Sequence, residues 1–233
     1  MKRTGLAIVV LIPLLSALSS LAQGTFQNLG FESASLIPIP GDPYGRVQFD
    51  PAFPGWTGFV GGVQQTAALY NNEFLDSSGI SIIDHNWSSP LGLPGGLIEG
   101  NYTAVLQAGV GGDTAISQTA QVPEDAQSLL FKAYKLFVPA GSFSVILGGQ
   151  TLSLTPLAAG TNYTLFGADI HALAGQQELL DFVLAAQQPH VNNAYVYLDS
   201  IQFSDQPVPE PGIFGLFAMG ALIFAWRCAR RKR

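Results

Sequence analysis

The residue types that most often perform catalysis are few in this chain and are not spaced for it. Its three histidines are scattered, and no His-x-x-x-His or Cys-x-x-Cys pair provides the spacing of a metal site. No Gly-x-Ser-x-Gly segment provides the turn that exposes a nucleophilic serine. The one cysteine, Cys228, lies in the basic C-terminal tail. The sequence therefore gives no catalytic constellation.

Carboxylates are plentiful, because the chain has sixteen acidic residues against ten basic ones. A glycosidase needs two carboxylates that flank the scissile bond, and sequence alone does not show which of these side chains converge. Glu124 and Asp125 follow Pro123 in a turn-like segment, where we predict solvated side chains rather than an acid/base pair. A small secreted hydrolase acting on polysaccharide stays open as the alternative function.

A binding role would need exposed aromatic rings that stack on sugar rings. The best candidate is Trp87, in the loop-like segment Asp84-His-Asn-Trp-Ser-Ser, and its alternative is ordinary packing. Trp56 is predicted to pack in the core. The candidate ligand-binding residues are Trp87, Tyr44, Tyr70 and Tyr102.

Charge is distributed unevenly along the chain. Seven of the ten basic residues lie among the first three and the last seven positions. Between Glu32 and Asp205, three basic residues stand against fifteen acidic ones, a formal charge of −12. Such a body repels phosphate backbones, so we predict no nucleic-acid partner, whereas cations and neutral polymers such as glycans are compatible with it.

The N-terminus has the parts of a secretory signal peptide. Lys2 and Arg3 precede the apolar stretch Gly5–Leu18, and small residues lie three and one positions before a cut between Ala22 and Gln23. We therefore predict a signal peptide over 1–22, handled by the Sec machinery and signal peptidase, and a mature chain that begins at Gln23.

The C-terminus joins a proline-rich motif, an apolar segment and a basic tail. The motif Val208-Pro209-Glu210-Pro211 precedes fifteen uncharged residues, Gly212–Trp226, and five of the last seven residues are basic. The apolar segment predicts a transmembrane helix of about 22 Å, shorter than a ~30 Å hydrocarbon core. By the positive-inside rule, the tail 227–233 would lie in the cytoplasm and the acidic body outside it.

The order and spacing of these parts within 206–233 resemble the PEP-CTERM sorting signal of Gram-negative-type bacteria that make extracellular polysaccharide. The resemblance implies that Pro209, Glu210 and Pro211 are recognised by exosortase, a membrane-embedded transpeptidase. The precursor would be anchored in the inner membrane before it reaches the cell surface or extracellular matrix.

Between the ends, residues 23–205 have the size of one domain and contain short β-type runs punctuated by Gly, Pro, Asn and Asp. About ten strands predict an all-β sandwich or barrel. Gly148-Gly149 predicts a hairpin turn, and a helix is the alternative for Glu178–Ala185. The predicted strands are Gly58–Gln64, Gly79–Ile83, Ala104–Gln107, Ala115–Val122, Ser128–Phe137, Ser142–Leu147, Gln150–Leu154, Asn162–Gly167, Glu178–Ala185 and Ala194–Phe203.

Three segments of this body, Asn28–Glu32, Pro54–Trp56 and Tyr197–Ser204, resemble the framework of jelly-roll carbohydrate-binding modules with a galactose-binding-like fold. The resemblance implies an antiparallel jelly-roll-like sandwich whose first and last strands lie together. It also implies that Glu32 and Asp199, with Asn28 as a further contributor, hold a structural calcium ion. Calcium takes six to eight oxygen ligands, so this set is incomplete, and strand-capping or solvated carboxylates are the alternative.

These observations predict a non-enzymatic surface or matrix protein that contacts glycan or exopolysaccharide. The polysaccharide hydrolase and a purely structural, self-associating matrix protein are the alternatives.

Overall fold

A computed structural model describes residues 24–208 apart from 75, 90–91, 93, 140 and 187–192. Over these residues the chain is mostly β-structure, in two sheets that pack around a shared apolar core. The predicted all-β sandwich is confirmed at this level, and the jelly-roll topology stays a prediction. The predicted signal peptide, the motif from Pro209 onward and the predicted transmembrane segment lie outside the described residues. Within the described part, no helix has the length and apolar character needed to cross a membrane.

The strands of the described residues form an eight-stranded and a six-stranded sheet. They are β1 Val47–Gln48, β2 Thr57–Val60, β3 Val63–Gln64, β4 Ala67–Tyr70, β5 Gly79–Ile83, β6 Thr103–Ala108, β7 Thr114–Gln121, β8 Ser128–Leu136, β9 Phe143–Leu147, β10 Gln150–Thr151, β11 Thr155–Ala159, β12 Thr164–Asp169, β13 Gln177–Leu184 and β14 Ala194–Ser204. The larger sheet has the order β1-β4-β5-β6-β14-β8-β12-β11, and the smaller one β10-β9-β13-β7-β2-β3. A short helix α1, Phe49–Ala52, and a 3-10 turn, His171–Leu173, complete the described elements.

Alternating side chains explain how β8 joins the two layers. Leu129, Phe131 and Ala133 point into the core and are buried, as the two-residue period of a strand requires. The ring of Phe131 lies 5.4 Å from that of Phe182 on the opposite sheet. The aromatic side chains of β8 and β13 therefore hold the two sheets together.

Glycine pairs form two of the hairpin turns. Gly148 and Gly149 have φ angles of 59° and 73° and connect β9 to β10, as predicted. The prediction of one strand over Gly58–Gln64 is wrong, because Gly61 and Gly62, at φ 57° and 78°, turn the chain between β2 and β3. Two consecutive positive φ angles are the mark of the primed hairpin turn.

One further strand prediction is confirmed, and three strands were not predicted. The segment predicted as Glu178–Ala185 is strand β13, and its pairing with β7 and β9 excludes the helical alternative. The prediction missed β1, β4 and β11. β4 reads Ala-Ala-Leu-Tyr, whose alanines have low strand propensity, so its pairing with β1 and β5 identifies it. β11 contains Pro156, which is tolerated because β11 is an edge strand.

A second apolar cluster lies on the outer face of the eight-stranded sheet, separate from the core between the sheets. The connection between β5 and β6 contributes to it, since Trp87 and Ile98 pack there. We call it the outer cluster. Its buried members are Ile83, Val105, Tyr195 and Tyr197, and its partly buried members are Trp87, Ile98, Tyr134 and Leu136.

Candidate functional site

Two parts of the chain that are far apart in sequence meet one connecting segment at a junction that we call the terminal clamp. It consists of Glu32, Asp199 and the segment 99–103. Glu32 lies in a tight turn in which the N–H of Ser33 donates to Asn28 Oδ1 over 2.9 Å. The N–H of Ile201 donates to the carbonyl of Leu29 over 2.9 Å, which ties this turn to β14.

Glu32 holds the segment 99–103 from one side. Its Oε1 accepts the N–H groups of Asn101 at 2.9 Å and Tyr102 at 3.2 Å, and its Oε2 accepts Asn101 Nδ2 at 2.8 Å. Gly100 has a φ of 60° and lies so close to this carboxylate that a Cβ would overlap it. The close approach therefore requires glycine at position 100.

Asp199 holds the same segment from the other side and is only 1% exposed. Its Oδ2 accepts the Thr103 hydroxyl at 2.7 Å and the Glu99 N–H at 3.1 Å, and its Oδ1 accepts the Ser200 N–H at 2.6 Å. Burial raises the pKa of Asp199 to about 6, the charge of Glu32 adds to the increase, and the three hydrogen bonds oppose it.

Glu99 connects the clamp to β8. Its Oε2 accepts Lys132 Nζ at 2.6 Å and also the Ser200 hydroxyl. The hydrogen bond from Lys132 is the largest of the effects that lower the pKa of Glu99. Lys132 lies directly opposite Asp199 in the sheet, so the clamp joins β6, β8, β14 and the N-terminal turn.

The structure thus brings the predicted calcium ligands Asn28, Glu32 and Asp199 to one junction. Hydrogen-bond donors already fill most acceptor positions of the two carboxylates. In the part of the chain that is described, no group of three or more His, Cys, Asp or Glu side chains could hold a metal ion. Two carboxylates and Asn28 fall short of the six to eight oxygen ligands that calcium takes, and the calcium site stays a prediction.

The four aromatic candidates make different contacts. Tyr70 donates to Asp84 Oδ2 over 2.7 Å, and this bond raises the pKa of Tyr70 to about 12. Tyr102 is partly buried against the core, and Trp87 packs on the outer cluster. Tyr44 is 53% exposed. All four already make a packing or hydrogen-bonding contact, since the ring of Tyr44 lies edge-on to that of Phe74, and their sugar-binding role stays a prediction.

A polar row that was not predicted from the sequence lies on the outer face of the six-stranded sheet. Asp181 on β13 lies opposite Ser117 on β7, and Ser117 lies opposite Thr57 on β2. Residues in register share one face, so the three side chains form what we call the Asp181 row. Burial raises the pKa of Asp181, and a hydrogen bond from Ser117 opposes that increase.

The surroundings of the Asp181 row are uncharged. In the strands of the six-stranded sheet, Glu178 and Asp181 are the only charged residues. The strand predicted for Glu178–Ala185 was a signal for this face, but the helical alternative left the direction of Asp181 open. Residues of the same outward parity include Phe59, Thr119, Ser144 and Ile146 on the other strands and Leu179 and Val183 on β13 itself.

Comparison with known proteins identifies the C-terminal segment. A family model for the PEP-CTERM protein-sorting motif matches residues 207–232, which include Pro209, Glu210 and Pro211. No curated protein matches the chain. The matched segment directly follows the last residues of the sandwich. The chain is therefore an exported protein that carries a PEP-CTERM sorting motif, the signal for processing by the membrane enzyme exosortase.

Proposed function

We propose that the protein is a non-enzymatic component of the cell surface or extracellular matrix, and that it binds exopolysaccharide through the outer face of the six-stranded sheet. The observation that carries this proposal is the Asp181 row, a partly buried carboxylate flanked by hydroxyl groups on a face with almost no other charge. The sorting motif supports delivery to a polysaccharide-rich exterior.

The chemistry of this face suits a sugar chain. An ionised carboxylate accepts hydrogen bonds from two neighbouring hydroxyls of one sugar, and such charge-assisted bonds are the stronger ones. The hydroxyl of Thr57 can both donate and accept, and the buried Ser117 holds the Asp181 carboxylate through a hydrogen bond. Phe59 and Leu179 offer apolar surface to the C–H faces of sugar rings. The body's formal charge of −12 favours neutral polymers over polyanions.

The experiment is a co-sedimentation assay of the full-length protein in detergent with exopolysaccharide prepared from the host culture. Asp181→Asn keeps the shape of the side chain and its contact with Ser117 but removes the charge. A hydrogen bond to a charged group contributes about 1.5–3 kcal/mol, so we expect binding to weaken by about ten- to a hundredfold. Asp50→Asn, on an exposed residue of α1, is the matched control.

The same assay separates the alternatives. Unchanged binding in Asp181→Asn would contradict the proposed face. Release of soluble oligosaccharide during the incubation would favour the hydrolase. Pelleting without polysaccharide, in proportion to protein concentration, would favour the self-associating structural protein.

A further inference from the structure

Both ends of the described chain leave the sandwich at the same end. The N–H of Gln121 donates to the carbonyl of Gly24 over 3.1 Å. Six residues further on, the N–H of Gln127 donates to the carbonyl of Ser204 over 2.7 Å. The Ser128 hydroxyl then donates to the carbonyl of Gln206 over 2.7 Å. We call this end, formed by residues 24–25, 121–127 and 201–206, the exit face.

The sorting motif begins immediately after the last of these contacts. Gln206 is held by Ser128, and the family model matches from residue 207. Four residues span at most about 14 Å even when fully extended, so Glu210 cannot lie further than that from Gln206. An enzyme that binds the motif must therefore lie close to the exit face.

The exit face has features that suit a docking surface. A cavity of about 270 Å³ opens there. The rings of Phe26 and Phe203 stack in its wall with their centroids 4.8 Å apart, and Gln202 lies at its exposed side. Beside it, the side chains of Glu124 and Asp125 are exposed in the turn before β8. An apolar cavity rimmed by charge is the usual form of an interface anchor.

We propose that the exit face is a docking surface for exosortase, so that the enzyme recognises the folded end of the sandwich together with the Pro-Glu-Pro motif. An apolar side chain of the enzyme occupies the cavity, and basic groups of the enzyme face Glu124 and Asp125. The four-residue separation between Gln206 and Glu210 keeps this contact and the motif close together.

The test measures the conversion of precursor to processed protein in the native host by pulse-chase labelling. Gln202→Trp fills the cavity, and the double variant Glu124→Arg, Asp125→Arg reverses the charge beside it. Loss of one well-packed anchor corresponds to about tenfold, so we expect conversion to slow by about that factor in either variant. Val63→Trp and Val63→Arg are the controls, because Val63 is 65% exposed beside Val60 and Thr114, at the opposite end of β7.

A second set of variants separates docking from folding and export. Twelve Gly and Ser residues inserted between Gln206 and Pro207 release the motif from the exit face. With this insertion, the exit-face variants should be converted at the same rate as the unmodified face. Normal conversion of the exit-face variants without the insertion would overturn the proposal. Equal slowing with and without the insertion would also overturn the proposal, because the defect would then lie in folding or export. A thermal melt reports folding, and removal of the signal peptide reports export.

Discussion

The carboxylate of Asp199 and the hydroxyl of Thr103 are joined by a hydrogen bond of 2.7 Å, and both residues are buried. The bond joins the last strand of the sandwich to the start of β6, with 96 positions between the two residues. Burial of the acceptor is the main reason that its pKa rises to about 6. The contact therefore closes the clamp, and the burial of Asp199, whose effect on the pKa this hydrogen bond opposes, makes the clamp sensitive to pH.

Asp199 makes the stability of the sandwich depend on pH with a definite sign. Its pKa is raised from 3.8 to about 6 on folding, so the folded state holds the proton more tightly than the unfolded state. This contribution is fully present below about pH 4 and is lost as the pH rises through 6. A shift of about two units corresponds to roughly 3 kcal/mol.

The measurement is urea unfolding of the full-length protein at half-unit steps from pH 4 to pH 7. The free energy of unfolding should fall across this range by an amount that Asp199→Asn reduces, because the amide does not ionise. Asp205→Asn, on an exposed residue, should leave the slope as it is. If the Asp199→Asn variant had the same slope as the unmodified protein, a group other than Asp199 would cause the pH dependence.

The clamp shows which part of a site can be predicted from sequence. Glu32 and Asp199 were predictable as neighbours, because they stand in segments that resemble a known framework. Their partners were not, since the N–H groups of Glu99, Asn101 and Tyr102 belong to the backbone and any residue supplies them. Only the tertiary fold aims these donors at the two carboxylates.

The Asp181 row was missed for a different reason. The direction of a side chain follows from the strand period only after the segment is known to be a strand. The segment around Asp181 was predicted as a strand with a helix as the alternative, so its outward face was not fixed. Pairing with Ser117, which lies 64 positions earlier in the chain, shows that the segment is a strand and which of its faces points outward.

Glu32→Ala should loosen the segment 99–103 without unfolding the sandwich. The substitution leaves the N–H groups of Asn101 and Tyr102 without their acceptor. Because Glu32 is exposed, water can replace it, and we expect a loss of about 1 kcal/mol. Hydrogen exchange should become faster at these two amides. Glu124→Ala, in a solvated turn, is the control and should leave the exchange at both amides unchanged.

Calcium should not change the melting temperature of the protein. The carboxylate oxygens of Glu32 and Asp199 already accept N–H and O–H donors, so a cation would have to displace them. Melts in millimolar calcium and in excess chelator should coincide. A midpoint that rises with calcium concentration, following RT ln(1 + [L]/Kd), would contradict this and favour the calcium site implied by the sequence resemblance.

Trp87 allows packing and ligand binding to be told apart. Its indole packs on the outer cluster, and its Nε1 is buried without a hydrogen-bond partner among the described residues. Trp87→Ala should destabilise the protein by about 2–4 kcal/mol, less than the roughly 3–5 kcal/mol of a core aromatic truncation, because Trp87 is only partly buried. Trp87→Phe should recover most of that loss. Binding of host exopolysaccharide by Trp87→Phe should equal that of the unmodified protein, and weaker binding would assign Trp87 a ligand role.

Gly58 tests how closely the two sheets approach near α1. This residue lies in β2 and faces the ring of Phe49 and the side chain of Ile80, and an added Cβ would lie 2.6 Å from Ile80 Cδ1. Real Cβ atoms do not approach that closely, so Gly58→Ala must push Phe49 or the strand outward. Overpacking of this kind typically costs 1–3 kcal/mol. Gly24→Ala, where nothing lies within 4 Å of the added atom, should leave the urea midpoint unchanged. If Gly58→Ala unfolded at the same urea concentration as the control, the close contact between β2, α1 and β5 would be incorrect.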